Sequence, residues 1–220
     1  MKKLILLRHG QSKWNLENRF TGLEDVSLSK KGIEEAKEAG KIMVKHNISV
    51  DLIFSSILKR ATDTARLAVL EMKLNHLWDD NNELIMTNDK ALNERNYGDL
   101  VGLNKKETSD KFGKEQVQKW RRSFDVSPPG GESLKEVVER AKENGISQLI
   151  CVGTDIESSE KAIKIAEEFP EVFLHRIRPC IIEWSELSPS LRSSQKVKYF
   201  GRRDRQRRHR LYLVDRARCP

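Results

Sequence analysis

The stretch Lys3-Leu4-Ile5-Leu6-Leu7-Arg8-His9-Gly10-Gln11-Ser12-Lys13-Trp14-Asn15 decides how this chain is read. The apolar run from Leu4 to Leu7 is flanked by charge and stopped by Gly10, the pattern of a short strand buried on both faces in a parallel sheet covered by helices. The polar cluster then falls at the strand's carboxyl end, where open α/β sheets place ligands. An imidazole beside a guanidinium, a glycine that lets backbone come close, and Ser12 and Asn15 as hydrogen-bonding groups suit an oxyanion such as phosphate. A lone Arg-His-Gly triplet is common, and describes a structural histidine at least as well as a functional one.

Outward from this strand the pattern alternates. Residues 11–26 are polar and aromatic and read as a long functional loop. Ser29 precedes a helix predicted over 30–46, with Ile33, Ala36, Ala39 or Gly40, and Met43 along one face. A second apolar strand follows at 50–54, and Ser55-Ser56 opens a helix that turns Ile57, Ala61, Ala65 and Ala68 inward. This β-α-β-α order implies an α/β fold with a mainly parallel sheet flanked by helices. A strand is expected at 83–86 and one helix over 105–124, ending before the breaker Val126-Ser127-Pro128-Pro129-Gly130-Gly131. Ser133-Leu134-Lys135-Glu136 is a capping box opening a helix with Leu134, Val137, Val138 and Ala141 on one face, closed by Gly145. A strand at 149–152 and a helix at 155–169 come next, and beyond Arg176 periodicity disappears.

The 220 residues fit one domain with ample chain for a core, and the net charge is +8. Eight arginines between Arg202 and Arg218 face only Asp204 and Asp215, so this segment carries +6 and only +2 is left elsewhere. The basic character belongs to the tail and does not mark the whole surface for nucleic acid. Cys151, Cys180 and Cys219 form no C-x-x-C pair, which argues against a disulfide framework or structural zinc. The apolar start is cut short by Arg8-His9, and no stretch is long and apolar enough to span a bilayer, so a cytoplasmic protein without membrane partners is expected.

The first triplet is not isolated. It is followed by N-x-x-x-R-F-T-G (Asn15 to Gly22), L-S-x-x-G (Leu28 to Gly32), S-S-x-L-x-R-A-x-x-T (Ser55 to Thr64), L-N-E-R-x-Y-G (Leu92 to Gly98), L-N-K (Leu103 to Lys105) and W-R-R-S-F (Trp120 to Phe124). In that order and at those intervals, from Lys2 to about Ser133, the chain resembles the 2,3-bisphosphoglycerate-dependent phosphoglycerate mutases of the histidine phosphatase superfamily. The resemblance implies that His9 carries a phosphoryl group and that Glu94 is the acid/base carboxylate. It implies a phosphate and substrate site made of Arg8, Gly10, Gln11, Ser12, Lys13, Trp14, Asn15, Thr21, Gly22 and Arg60. Arg95, Asn96, Tyr97, Lys105, Arg121 and Arg122 would hold the rest of the substrate. The implied reaction interconverts 3- and 2-phosphoglycerate, primed by 2,3-bisphosphoglycerate, with arginines in place of a metal. The chemistry is coherent: a histidine attacks phosphorus through one ring nitrogen when the other is held by a hydrogen bond, and phosphoryl transfer needs cations around the equatorial oxygens.

The resembling family places a second histidine in the same pocket, on an apolar strand ending A-H-G-N-S. Here Leu149-Ile150-Cys151-Val152 ends in Gly153-Thr154-Asp155, and besides His9 only His46, His76, His175 and His209 remain. Residues 136–172, including E-R-A-K-E-N-G-I-S-Q-L-I-C-V-G-T-D-I-E-S-S-E-K-A, resemble one helix-strand-helix unit of TatD-type metal-dependent deoxyribonucleases. The histidine pair and G-x-H-P-H of that family are missing, Val172-Phe173-Leu174-His175-Arg176 departing at that point, so no metal site is expected. The expected division is therefore 1–133 mutase-like, 134–176 nuclease-like and 177–220 a disordered arginine-rich tail, with catalysis impaired by the missing histidine. A homodimer is compatible with this reading. The alternative is a non-catalytic, mutase-derived protein whose tail contacts nucleic acid, against which stands the scarcity of stacking residues, Tyr199, Phe200 and Tyr212.

Overall fold

The computed structural model describes residues 3–143, 149–153, 172–176 and 209–213. In chain order the elements are β1 (Lys3–Leu7), α1 (Lys13–Leu16), α2 (Lys30–Lys45), β2 (Leu52–Ser55), α3 (Lys59–Met72), β3 (Thr87–Asn88), α4 (Lys105–Phe112), α5 (Lys114–Arg122), α6 (Leu134–Glu143), β4 (Leu149–Gly153), β5 (Val172–Arg176) and β6 (His209–Leu213). They fall in two compact units: Met1–Gly113 with Pro129–Gly131 and Arg203–Arg216, and Lys114–Pro128 with Glu132–Arg202 and Ala217–Pro220.

The first unit is built on a parallel sheet in the order β1-β6-β2-β3. Val50, Ile53, Ala65, Val69 and Met72 form its core with Met43, Leu77 and Leu84, and Ile5 and Leu7 pack against them. Side chains of α2 and α3 thus meet those of β1 and β2, the arrangement expected of a parallel sheet that needs apolar cover. Ser29 caps α2 by accepting the Gly32 N–H at 3.1 Å. The buried stripe of α2 is Gly32, Ala36, Gly40 and Met43, whereas Ile33, expected inward, is exposed. Gly32 takes the inward position because α2 begins directly on the backbone that leaves β1. Ile57 is likewise exposed, since it precedes α3, whose Ala61, Ala65 and Ala68 are buried as expected.

Three elements depart from the sequence pattern. The strand expected at 83–86 lies at Thr87–Asn88, where it pairs with Phe54 and Ser55, while Leu84 is spent on the core. The single helix expected over 105–124 breaks at Gly113, whose φ of +85° only glycine adopts readily. Within the arginine-rich segment expected to be disordered, residues 209–213 form β6, which pairs with both β1 and β2, and the rest of 177–220 lies outside the described residues. Its apolar run Leu211-Tyr212-Leu213 is masked in the composition by the surrounding arginines.

In the second unit α5 buries Val117 and Trp120, and β4 pairs with β5 in parallel from Leu149↔Val172 to Gly153↔Arg176. Eighteen residues separate these strands, enough for the crossover that a parallel pair requires. The helix expected at 155–169 and the Gly145 cap lie outside the described residues. The capping box of α6 is present: Glu136 N–H donates to Ser133 Oγ at 3.1 Å, and Ser133 N–H donates to Glu136 Oε2 at 2.6 Å. Ser127 Oγ also donates to Glu136 Oε2, at 2.9 Å.

Two predictions follow from these contacts. A Cβ on Gly40 would stand 2.3 Å from the carbonyl oxygen of Ala68. Gly40→Ala therefore wedges α2 away from α3 and lowers stability by about 1–3 kcal/mol in a denaturant titration, despite alanine's better helix propensity. The Ser133 backbone and hydroxyl and the Ser127 hydroxyl hold the Glu136 carboxyl below its ordinary range. Its contribution to stability is present above the ordinary glutamate range and is lost as pH falls through the lower folded value. A carboxyl ¹³C titration should show the depressed midpoint, and Ser133→Ala should return it upward; an unchanged midpoint in the variant would contradict the capping box.

Candidate phosphoryl-transfer site

The carboxyl end of β1 delivers Arg8 exposed and His9 buried, with 7% of its surface accessible. His9 Nδ1 lies 2.6 Å from the carbonyl oxygen of Gly10. A carbonyl only accepts, so Nδ1 carries the proton and the lone pair of the neutral ring sits on Nε2. Gly10 is clamped from both sides. Its N–H donates to Thr64 Oγ1 at 3.1 Å, and a Cβ on Gly10 would stand 2.2 Å from the carbonyl oxygen of Gly32. Thr64 in turn donates its hydroxyl to the Arg60 carbonyl at 2.6 Å, which ties the β1 turn to the helix carrying Arg60.

Arg60 has no solvent exposure. Its guanidinium donates to the carbonyls of Glu24 at 2.7 Å and Gly22 at 2.8 Å, and its NH2 group lies 3.3 Å from Glu94 Oε2. A buried cation requires such oxygens around it, and here they come from a loop and from a carboxylate distant in sequence. The loop itself is pinned to α3, which has no side-chain cap of its own at Leu58. Asp25 supplies that cap: its Oδ1 accepts the Lys59 N–H at 2.6 Å, and its Oδ2 lies 3.7 Å from Lys59 Nζ. Asp63, on the same helix, has its carboxyl raised above the ordinary range, by burial first and by Asp25 as well, against Arg66 and Lys59. Ionising it at neutral pH weighs against the folded state.

Around Glu94 the chain is held by side chains the motif also contains. Arg95, 4% exposed, stacks its guanidinium 4.7 Å from the ring centre of Tyr97, which packs at 5.4 Å against Phe20. Asn96 Oδ1 accepts the Gly98 N–H at 2.9 Å. Gly98 has φ +54°, and a Cβ there would lie 2.2 Å from Pro129 and Gly130 backbone, so the P-P-G-G stretch, read from sequence only as a breaker, is a loop seated on Gly98. Lys105 donates to the carbonyl of Arg19 and stands 5.6 Å over the Phe20 ring.

Other expected site residues have structural engagements. Ser12 Oγ accepts the Asn15 N–H and Asn15 Oδ1 accepts the Ser12 N–H, both at 3.1 Å, making a capping box for α1 inside what the sequence reads as a loop. Gln11 Oε1 accepts from Ser29 Oγ at 2.8 Å, Lys13 is exposed, and Trp14 faces Gly102. Gly22 has φ +55° and places its carbonyl on Arg60. Thr21 Oγ1 is buried without a hydrogen-bond partner among the described residues. Arg121 and Arg122 end α5 in the second unit, where Arg122 Nε is buried and unpartnered among the described residues. No group of three or more histidine, cysteine, aspartate or glutamate side chains suited to a metal ion occurs among the described residues. Residues 4–151 match the model of the histidine phosphatase superfamily, branch 1. The chain belongs to that superfamily.

This superfamily member is 50% identical over 137 residues to a 2,3-bisphosphoglycerate-dependent phosphoglycerate mutase of Azorhizobium caulinodans, covering 62% of this chain and 63% of that one. It is 48% identical over 150 residues to the Rhodopseudomonas palustris enzyme of the same name, covering 68% of this chain and 69% of that one. The first of these matches thus spans less than two thirds of the relative's length. Among solved structures, a mycobacterial glucosyl-3-phosphoglycerate phosphatase complexed with VO3 superposes with a TM-score of 0.51 at 28% identity, covering 79% of this chain and 74% of that one. The sequence motifs had named His9, Arg60 and Glu94 but assigned no role to Thr64, Gly32, Asp25 or Gly98. The signal for them lay in the same motifs, as the residues that make the turn and the loop fit. Thr64→Val keeps the side chain's shape but strands the buried Gly10 N–H, and should cost about 1–3 kcal/mol in chemical denaturation. A loss under half a kcal/mol would show that the β1 turn does not depend on this hydroxyl.

Proposed function

We propose that this chain is, by descent and by its site, a phosphoglycerate mutase that works through a phosphohistidine at His9. The observation that carries the reading is the His9 Nδ1 proton committed to the Gly10 carbonyl at 2.6 Å, which leaves the lone pair on Nε2 as the nucleophile. The half-identical mutases named above support the substrate class, 3- and 2-phosphoglycerate. Arg60 supplies positive charge where the phosphoryl oxygens would lie, and exposed Arg8 supplies a second guanidinium at the strand end. Thr21, with its buried unpartnered hydroxyl, is equipped to donate to an oxyanion. Glu94, held by Arg60, takes and returns the proton of the substrate hydroxyl. 2,3-Bisphosphoglycerate, when bound, supplies the phosphoryl group that primes His9, and Lys105 and Tyr97 are assigned to the acidic groups of the substrate. This reading asks for no metal and fits a cytoplasmic protein.

Turnover is expected to be impaired, because the second histidine of the resembling family has no counterpart on β4, which ends Cys151-Val152-Gly153. Incubation with 2,3-bisphosphoglycerate followed by mass spectrometry should place one phosphoryl group on His9, and His9→Ala should abolish it. Glu94→Gln should keep that label but slow its transfer to 3-phosphoglycerate by about 10²–10⁴-fold. Folded protein that never takes up label would rule out His9 as the nucleophile of this chain.

A further inference from the structure

The carbonyl that receives the His9 proton belongs to the same peptide group as the N–H of Gln11. That N–H donates to Oε2 of Glu35 at 2.8 Å. A continuous path therefore runs from His9 Nδ1–H to the Gly10 carbonyl, through one peptide group, to a carboxylate. The geometry is enforced by α2. A Cβ on Gly32 would stand 2.1 Å from the Gln11 carbonyl oxygen, so the first turn of the helix lies directly on this backbone, and Glu35 follows three residues later. Ser29 N–H donates to the Gln11 carbonyl at 2.8 Å, holding the next peptide as well. Glu35 Oε1 lies 3.9 Å from Lys31 Nζ, and the Glu35 side chain is 44% exposed. At that exposure the action rests on the direct hydrogen bond, since a field acting at a distance would be screened.

We propose that Glu35 is a positioning residue for His9: by accepting the Gln11 N–H it fixes and polarises the peptide whose carbonyl takes the Nδ1 proton. A charged acceptor on the N–H side makes the carbonyl oxygen on the other side a stronger acceptor, because hydrogen bonds in series polarise one another. The Nδ1–H tautomer is thereby favoured and Nε2 becomes the more basic nitrogen. The inference rests on the reading of His9 as the nucleophile, but its structural part can be measured without any activity.

The test is ¹⁵N NMR of the His9 ring in the neutral form, comparing the full chain with Glu35→Ala and Glu35→Gln, alongside single-turnover phosphoryl uptake from 2,3-bisphosphoglycerate. Glu35→Gln retains an acceptor and the size of the side chain, so it also guards against simple misfolding. Glu35→Ala should populate the Nε2–H tautomer and slow uptake about tenfold, the weight of one hydrogen bond to a charged group, with Glu35→Gln recovering most of both. A tautomer that follows Glu35 in a protein that takes up no phosphoryl group would support the positioning role and count against the mutase reading. An unchanged tautomer in folded Glu35→Ala would overturn the positioning role, whatever the uptake.

Discussion

A guanidinium withdrawn from water at Arg60 carries a desolvation cost of several kcal/mol unless oxygens surround it, and the way this chain surrounds it determines where the other site residues stand. Two carbonyls come from the loop after α1, and one carboxylate comes from Glu94. The loop must therefore fold back onto α3, which explains why Asp25 caps that helix and why Gly22 adopts a positive φ. From Arg60 the constraint passes one helical turn along to Thr64, whose hydroxyl takes the Gly10 N–H. His9, Arg60 and Glu94 are thus held by one buried charge and its hydrogen bonds.

The same constraint accounts for the glycines. Gly10 and Gly32 meet backbone to backbone, and any side chain at either would push α2 off the β1 turn. A helix starting that close to the turn can place a carboxylate on the peptide that joins Gly10 to Gln11. Close approach, rather than flexibility, is what these positions require.

How much of this was legible in the sequence differs by element. The buried strand Leu4 to Leu7, the caps at Ser29 and Ser133 and the alanine face of α3 follow from local patterns, and the structure has them. His9, Arg60 and Glu94 could be named from motifs, but no periodicity indicates that Glu94 pairs with Arg60. Ile33 is apolar yet exposed because the inward position beside it has to be a glycine where α2 meets backbone, and Ile57 is exposed because it precedes α3. The break at Gly113 and the strand β6 were obscured for different reasons, the first by a charged helical pattern on both sides of one glycine, the second by the many arginines around the short apolar run 211–214.

The position of β6 bears on the missing histidine. It lies between β1 and β2 and runs parallel to both, so a residue at its carboxyl end would share the end of the sheet from which His9 projects. The histidine it contains is at the other end: His209 pairs with Lys3, while Leu213 pairs with Leu7. Four residues of strand separate these levels, about 13 Å at 3.3 Å per residue. His209 therefore stands at the opposite end of the strand from the level of Leu7. β6 fills a place in the sheet of the first unit and pairs with both β1 and β2.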